Sequence, residues 1–280
     1  KIITENEKDR VRQIFEEASA EAKASFGDGS MYVEKYVANA RHIEVQVLGD
    51  KYGNVVHLGE RDCSTQRRHQ KLIEEAGAPN ITDALREEIR AAAVKLARNI
   101  SYESAGTVEF IVDQDAGRFY FLEMNTRIQV EHPVTEMVTG TDIVQEQLGV
   151  AAGGKLPFTQ EDIRFQGHAI ECRINAELPE ENFRPTPGVI TRWEIPQGPG
   201  VRVDTHCHHG YRVPIFYDSL IAKVIVHGAD REHARRRMLA ALDEFRAEGI
   251  GTTIPYLTKV LRTEDFAEGR VITRILEKLI

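Results

Sequence analysis

The feature that most constrains this chain is a hairpin. Thr107 to Val112 and Phe119 to Met124 read as strands flanking the turn Asp113-Gln114-Asp115-Ala116-Gly117. Glu109 and Glu123 sit symmetrically about Ala116, so a simple antiparallel register sets them directly opposite each other. Their Cβ atoms then lie ~5 Å apart on one face, where like charges repel. Relief comes from a proton on one acid or from a divalent cation between the two. The bland alternative is an edge hairpin with both acids in water, and a one-residue bulge would undo the geometry.

The continuation favours the cation. From Glu123 to Glu131 the odd positions are Glu, Asn, Arg, Gln and Glu, and the even ones up to Val130 are Met, Thr, Ile and Val. Period two predicts a polar face opposite an apolar one. Magnesium takes a few carboxylate and amide oxygens and borrows its other ligands from phosphate and water, which suits Glu109, Glu123 and Asn125. Arg127 and Gln129 suit a planar anion held by a forked contact. Glu131, beyond the metal, is a candidate base. A second polar run, Arg61 to Lys71, holds three Arg, one His, one Lys and two Gln. It reads either as a solvated loop or as a local anion attractor.

Around these motifs the chain reads as a folded mixture of helix and strand. Helices are expected over Asn6 to Phe26, Asp83 to Asn99 with Thr82 as cap, Ile143 to Ala152, and Arg231 to Ala247. Two strands are expected between Met31 and Leu48, a short one at Val55 to His57, and a strand-dominated region from Gly167 to His227. A domain boundary is expected at 155–166. The charge sum, 36 basic against 44 acidic residues, is −8 and argues against nonspecific nucleic-acid binding. No apolar run approaches membrane-spanning length. Cys63, Cys172 and Cys207, odd in number and far apart, fit a reducing cytosol or organelle matrix. Gly149 to Leu156 imitates a phosphate-binding loop, but Leu156 lacks the hydroxyl and the glycines end a helix instead of opening one. His206-Cys207-His208-His209 reads as a solvated loop, and Trp193 and Phe216-Tyr217 as core or interface packing.

The combination closely resembles biotin carboxylase, an ATP-grasp family. The residues that carry the resemblance are Glu34-Lys35-Tyr36, Arg41 to Val47, Glu60 to Lys71, Glu109-Phe110, Glu123 to Glu136, Gly167 to Glu177 and Tyr217-Asp218-Ser219. The resemblance implies an α+β fold: an ATP-grasp core with a mainly antiparallel sheet over 31–160, then a smaller β-rich C-terminal domain over 161–280. Residues 1–30 would be a remnant of the ATP-grasp lid. The implied reaction is ATP-dependent carboxylation of carrier-linked biotin by bicarbonate through carboxyphosphate, the first half-reaction of acetyl-CoA, propionyl-CoA or pyruvate carboxylases. By motif match, Glu109, Glu123 and Asn125 hold Mg²⁺ or Mn²⁺. Glu34 and Lys35 lie at the adenine hinge, with His42, Gln66 and His69 around the ATP. Lys71, Arg127, Gln129 and the Val130 backbone hold bicarbonate. Glu131 is the base, and Arg173 stabilises the enolate-like oxygen of the ureido ring. From spacing alone, Arg173 reads as a surface residue.

The implied partners are a biotin carboxyl carrier protein or domain, a carboxyltransferase and a second copy of the chain, with no nucleic acid and no membrane. The implied location is cytoplasmic, or the mitochondrial matrix in a eukaryote. The family's glycine-rich lid loop and two ATP-binding lysines cannot be placed on Lys1 to Phe26. The chain is therefore expected to be the C-terminal part of a longer enzyme, weakly active or inactive alone, and steady carboxybiotin formation by the purified chain would refute that. Two other readings stay open. One is a different ATP-grasp carboxylate–amine ligase, in which an amine replaces biotin as the stimulant of ATP use. The other is a noncatalytic module for dimerisation or carrier binding.

Overall fold

The computed structural model describes residues 1–3 and 5–278. Two compact units appear, Lys1–Ala38 and Asn39–Ile280. In the first, a 3-10 turn (Glu5–Arg10) leads into α1 (Val11–Phe26), in agreement with the expected helix. Gly27 ends it in the left-handed region, φ 80°, with its N–H donating to the Lys23 carbonyl. Of the apolar side chains Val11, Ile14 and Phe15 only Ile14 is buried, while Val11 and Phe15 are each 43% exposed. The first of the two strands expected between Met31 and Leu48 does not form. Met31-Tyr32-Val33 followed by Glu34-Lys35 has no period-two alternation, and Tyr32 and Val33 stay exposed.

The second unit is built on one eight-stranded sheet. Its strands are β1 (Ala40–Gly49), β2 (Val55–Arg67), β3 (Gln70–Ala76), β4 (Ser104–Asp113), β5 (Arg118–Asn125), β6 (His168–Asn175), β7 (Val201–Thr205) and β8 (Leu220–Gly228). They lie in the order β7-β8-β6-β3-β2-β1-β4-β5, and every pairing is antiparallel. The stretch 155–166 holds only a short 3-10 turn (Gln160–Asp162) before the chain enters β6, which pairs with β3. The sheet is therefore continuous across that stretch.

Helices cover both faces. On one, α2 (Asp83–Asn99) packs Ile89, Ala93 and Ala97 against Ile43, Val45, Val108 and Phe110, while α5 (Arg231–Glu244) packs Ala234, Met238 and Leu242 against Ile170, Cys172 and Val224. Thr82 caps α2 as expected, its hydroxyl accepting from the Leu85 N–H at 3.2 Å. On the other face, α3 (His132–Thr139) sets Val134 and Val138 on Ala76, Ala169 and Ile225, and α4 (Ile143–Ala151) packs Ile143 and Val150 on Leu48 and Leu58. α5 stops three residues early. Phe245 is extended, and Arg246–Glu248 instead pairs with Arg192–Glu194 as a short strand. Gly153, at φ 89°, follows the end of α4, so the phosphate-loop look-alike is a helix terminus. The three cysteines are free and buried. Trp193 stacks edge-on against Phe245, whereas Phe216 and Tyr217 are exposed and form no part of the core. Among the described residues no helix is long and apolar enough to cross a membrane.

The basic segment is not a solvated loop. Arg61 to Arg67 is the end of β2, and Gln70 and Lys71 begin β3. Arg68 and His69 form a two-residue turn with φ of 47° and 67°, the left-handed conformation that tight hairpins require. Glycine or asparagine normally marks such a turn, so the sequence gives little sign of it.

Candidate active site

Glu109 and Glu123 are directly opposite each other across β4–β5. They meet by a different route from the one the symmetry suggested. The ladder closes at Asp113↔Arg118, one residue tighter than a five-residue turn, and a bulge between Glu109 and Phe110 restores the pairing. Here the bulge makes the geometry instead of destroying it.

Period two ends at Asn125, where β5 stops. Thr126 to Val130 have no regular structure, and Glu131 is the N-cap of α3. The polar residues converge because the chain folds back over the strand ends. Asn125 Nδ2 donates to Glu109 Oε1 (2.9 Å) and to Glu123 Oε1 (3.1 Å). Gln129 Nε2 donates to the same Glu109 oxygen (2.9 Å), and Arg127 Nη1 donates to Gln129 Oε1 (2.9 Å). His42 Nε2 lies 2.7 Å from Glu109 Oε2. Burial disfavours the charged form of Glu109, but His42 and Lys71 outweigh it and hold the carboxyl below its usual range.

Beneath this cluster runs a buried ionic chain. Lys71 Nζ is 2.6 Å from Glu44, 2.6 Å from Glu131 and 3.3 Å from Glu109. Arg173 donates Nη2 to Glu131 (2.8 Å) and Nε to Glu74 (2.6 Å). Arg61, fully buried, donates Nε to Glu44 (2.6 Å) and its other nitrogens to Gln46, Thr135 and Thr107. Burial raises the cost of charging Glu44, yet Arg61 and Lys71 bring its carboxyl down to about 2. Burial also opposes charge on Lys71 and Arg173. The acids around them more than compensate and push both upward.

These groups line a cavity of about 530 Å³. His42, Gln66, His69 and Lys71 border it from β1 to β3, Glu109, Glu123, Asn125, Arg127, Gln129, Val130 and Glu131 from the hairpin and its continuation, and Arg173 from β6. A neighbouring cavity of about 770 Å³ shares Gln70, Val130 and Arg173 with it. Glu34 and Lys35 belong to the other compact unit, where both are exposed. The donor set fits a hard divalent cation: two carboxylates brought together by one amide side chain, beside room for further oxygen ligands. Among the described residues His206, His208 and His209 join no metal-type grouping.

The sequence pattern gives no role to Glu44 or Glu74, which pair with Lys71 and Arg173, and it reads Arg61 only as part of the basic run, not as the partner that holds Glu44. In Ile43-Glu44-Val45-Gln46-Val47 the alternation suggests a half-exposed strand, but every residue of β1 is buried. The interleaved Glu and Gln were the available signal. Arg173, which spacing suggested was a surface residue, is part-buried between two acids.

Two family models match the chain. One, for the ATP-binding domain of the carbamoyl-phosphate synthase L chain, covers residues 2–159, and the other, for the biotin carboxylase C-terminal domain, covers residues 171–278. The fold is thus that of the ATP-grasp class. The chain belongs to the biotin carboxylase family. It is 56% identical to Biotin carboxylase 1 of Bacillus subtilis over 92% of its own length and 57% of the relative's. It is 52% identical to the 2-oxoglutarate carboxylase small subunit of Hydrogenobacter thermophilus, over 99% of its own length and 58% of the relative's. The chain thus spans a little over half the length of these relatives. Among solved structures, the biotin carboxylase domain of a thermophilic 2-oxoglutarate carboxylase bound to bicarbonate superimposes with a TM-score of 0.94 at 52% identity, over 97% of this chain and 61% of that one. The Hydrogenobacter thermophilus domain dimer in complex with MgADP and bicarbonate gives a TM-score of 0.89 at 52% identity, over 96% and 59%.

Proposed function

We propose that this chain supplies the metal, bicarbonate and base side of a biotin carboxylase: ATP-dependent carboxylation of carrier-linked biotin. The observation that carries the reading is Glu131, which has no exposed surface yet is held between Lys71 and Arg173 at the edge of the cavity. A carboxylate gripped by two cations beside a cation-type donor set can take a proton from a small acidic anion such as bicarbonate. In this reading Glu109, Glu123 and Asn125 hold Mg²⁺ or Mn²⁺, which neutralises phosphate charge when bound. His42, Gln66 and His69 border the ATP. Lys71, Arg127, Gln129 and the Val130 backbone hold bicarbonate, and Arg173 takes up charge developing on the biotin ureido oxygen. Glu34 and Lys35 keep the adenine-hinge role that the family resemblance gives them.

The assignment of 1–30 to a lid remnant, 31–160 to the ATP-grasp core and 161–280 to the C-terminal domain belongs to the same proposal. So do the carrier, the carboxyltransferase and a second copy as partners, and a reducing compartment, cytoplasm or mitochondrial matrix, for which the three unpaired buried cysteines speak. The test is Glu131→Gln in a chain extended to its relatives' length. Bicarbonate-dependent carboxybiotin formation should fall about 10²–10⁴-fold, the usual worth of a positioned base. Circular dichroism should report an intact fold. Activity within a few-fold of wild type would remove Glu131 from this role.

A further inference from the structure

Three buried carboxyl oxygens under the site have no hydrogen-bond donor among the described residues: Oε2 of Glu74 and both oxygens of Glu171. Both residues have no exposed surface. They are directly opposite in the β3–β6 register, which puts their Cβ atoms ~5 Å apart on one face. The charged groups facing Glu171 are Glu74 from β3, Arg173 from its own strand, Lys223 from β8 and Glu131 from the start of α3. The cations among them are committed elsewhere. Arg173 bonds Glu74 Oε1 and Glu131. Lys223 donates to the Val130 carbonyl (2.8 Å) and lies 3.4 Å from Asp204. Two full negative charges facing each other here, with three bare oxygens, would forfeit hydration with nothing in return.

We propose that Glu74 and Glu171 share one proton, carried on Glu171 and donated to the bare Oε2 of Glu74, and that the single charge left on the pair positions Arg173 against Glu131. One such bond satisfies two of the three orphaned oxygens. It leaves Glu74 ionised, with one oxygen on the guanidinium and the other on the acid. Burial and the facing acids push Glu171 well above the usual carboxyl range, and burial moves Glu74 up to about 7, with Arg173 opposing the rise. Ionising Glu171 would add a second charge on the sheet side of Arg173 and draw the guanidinium away from Glu131. Glu171 is thus a positioning residue. Its bearing on catalysis rests on the function proposed above, whereas the shared proton does not.

Infrared spectroscopy tests the proton directly. At neutral pH the wild-type chain should show the C=O stretch of a protonated carboxylic acid, shifted in heavy water and lost in Glu171→Gln. Glutamine offers an N–H where the acid offered O–H, so the variant keeps a donor to Glu74. A missing band in the wild type, or an undiminished one in the variant, overturns the pair. Stability gives a second reading. An acid that keeps its proton only when folded makes stability fall as pH rises, because the unfolded chain releases that proton first. The melting temperature of Glu171→Gln should therefore gain on wild type between about pH 5 and 8, and a constant gap overturns the pair. In the extended, active protein Glu171→Gln should move the alkaline limb of the kcat profile while leaving the KM for ATP alone. Superimposable profiles overturn the positioning of Arg173. A protonated-acid band in a protein unable to carboxylate biotin upholds the pair and removes only the functional reading.

Discussion

Charge is handled in opposite ways in two regions of this molecule. On α1, Arg12 and Glu16 pair at 3.2 Å with side chains 93% and 67% exposed. In the eight-stranded sheet, Arg61 and Glu44 pair at 2.6 Å with no exposed surface. The chemical groups are nearly the same, but the consequences differ. Water already solvates the α1 pair, so its formation changes little. The sheet pair gave up its hydration on folding, so each member depends on the other. Buried pairs of this kind add little net stability, but once built they hold their members fixed. That is what a site needs around Lys71, Glu131 and Arg173.

The comparison breaks most visibly at Arg61. Arg61→Met should cost about 3–5 kcal/mol, because it leaves Glu44 charged and buried with Lys71 as its one remaining ion-pair partner among the described residues. Urea denaturation measures the loss. Adding Glu44→Gln should recover much of it, because no uncompensated charge then remains, and a double variant as unstable as the single one would contradict the argument. A second buried acid sharpens it by pH. Glu75 accepts from Arg231 (2.7 and 2.9 Å) and lies 2.8 Å from His168. Burial would raise its carboxyl, but His168 and Arg231 hold it at about 2. A folded value below the unfolded one stabilises above the unfolded value and is lost as pH falls toward the folded one. Glu75→Gln should therefore be destabilised by on the order of 3 kcal/mol at pH 7. Chemical denaturation should find that gap narrowing steadily below about pH 4.5 and nearly gone near pH 2. Smaller again is Thr82→Ala at the α2 cap, about 1 kcal/mol by the same measurement.

What the sequence disclosed follows the same division. Elements that reach the water were legible: α2, with its Thr82 cap, and the β4–β5 hairpin, whose outer strand is largely exposed and whose acids ended opposite each other, though through a bulge their spacing did not foretell. Most of the cavity-lining residues were also named, Glu109, Glu123, Asn125, Arg127, Gln129 and Glu131 by their chemistry even where their geometry was misread, and the others, such as His42, Lys71 and Val130, through the family resemblance. The centre of the sheet was harder to see. Glu44 and Gln46 alternate with valines as though they faced solvent, because period two records only that neighbouring side chains point apart, not that both faces are covered. The hairpin at Arg68-His69 was hidden by residues that seldom adopt positive φ. From spacing alone Arg173 could not be told from a surface arginine, and only the family resemblance singled it out, because the acid that half-buries it, Glu74, comes from β3, distant in sequence.

The smallest effect is expected at Arg12, and it tests the other side of the comparison. An arginine four residues before a glutamate is the weaker orientation of a helical ion pair, since it puts the positive charge toward the helix start. Arg12 is the second residue of α1, where the helix dipole disfavours a cation. Alanine at that position removes the unfavourable charge and is itself a better helix former. The lost pair and the relieved dipole therefore act in opposite directions. Arg12→Ala should change the local stability of α1 by no more than about 0.5 kcal/mol in either direction. Amide hydrogen exchange of the α1 residues is the right measurement, because α1 lies in the smaller compact unit and global unfolding need not report on it. The residual difference should shrink further in high salt, since both charges stand in water. A loss comparable with that of Arg61→Met would mean that exposure does not govern what an ion pair contributes here.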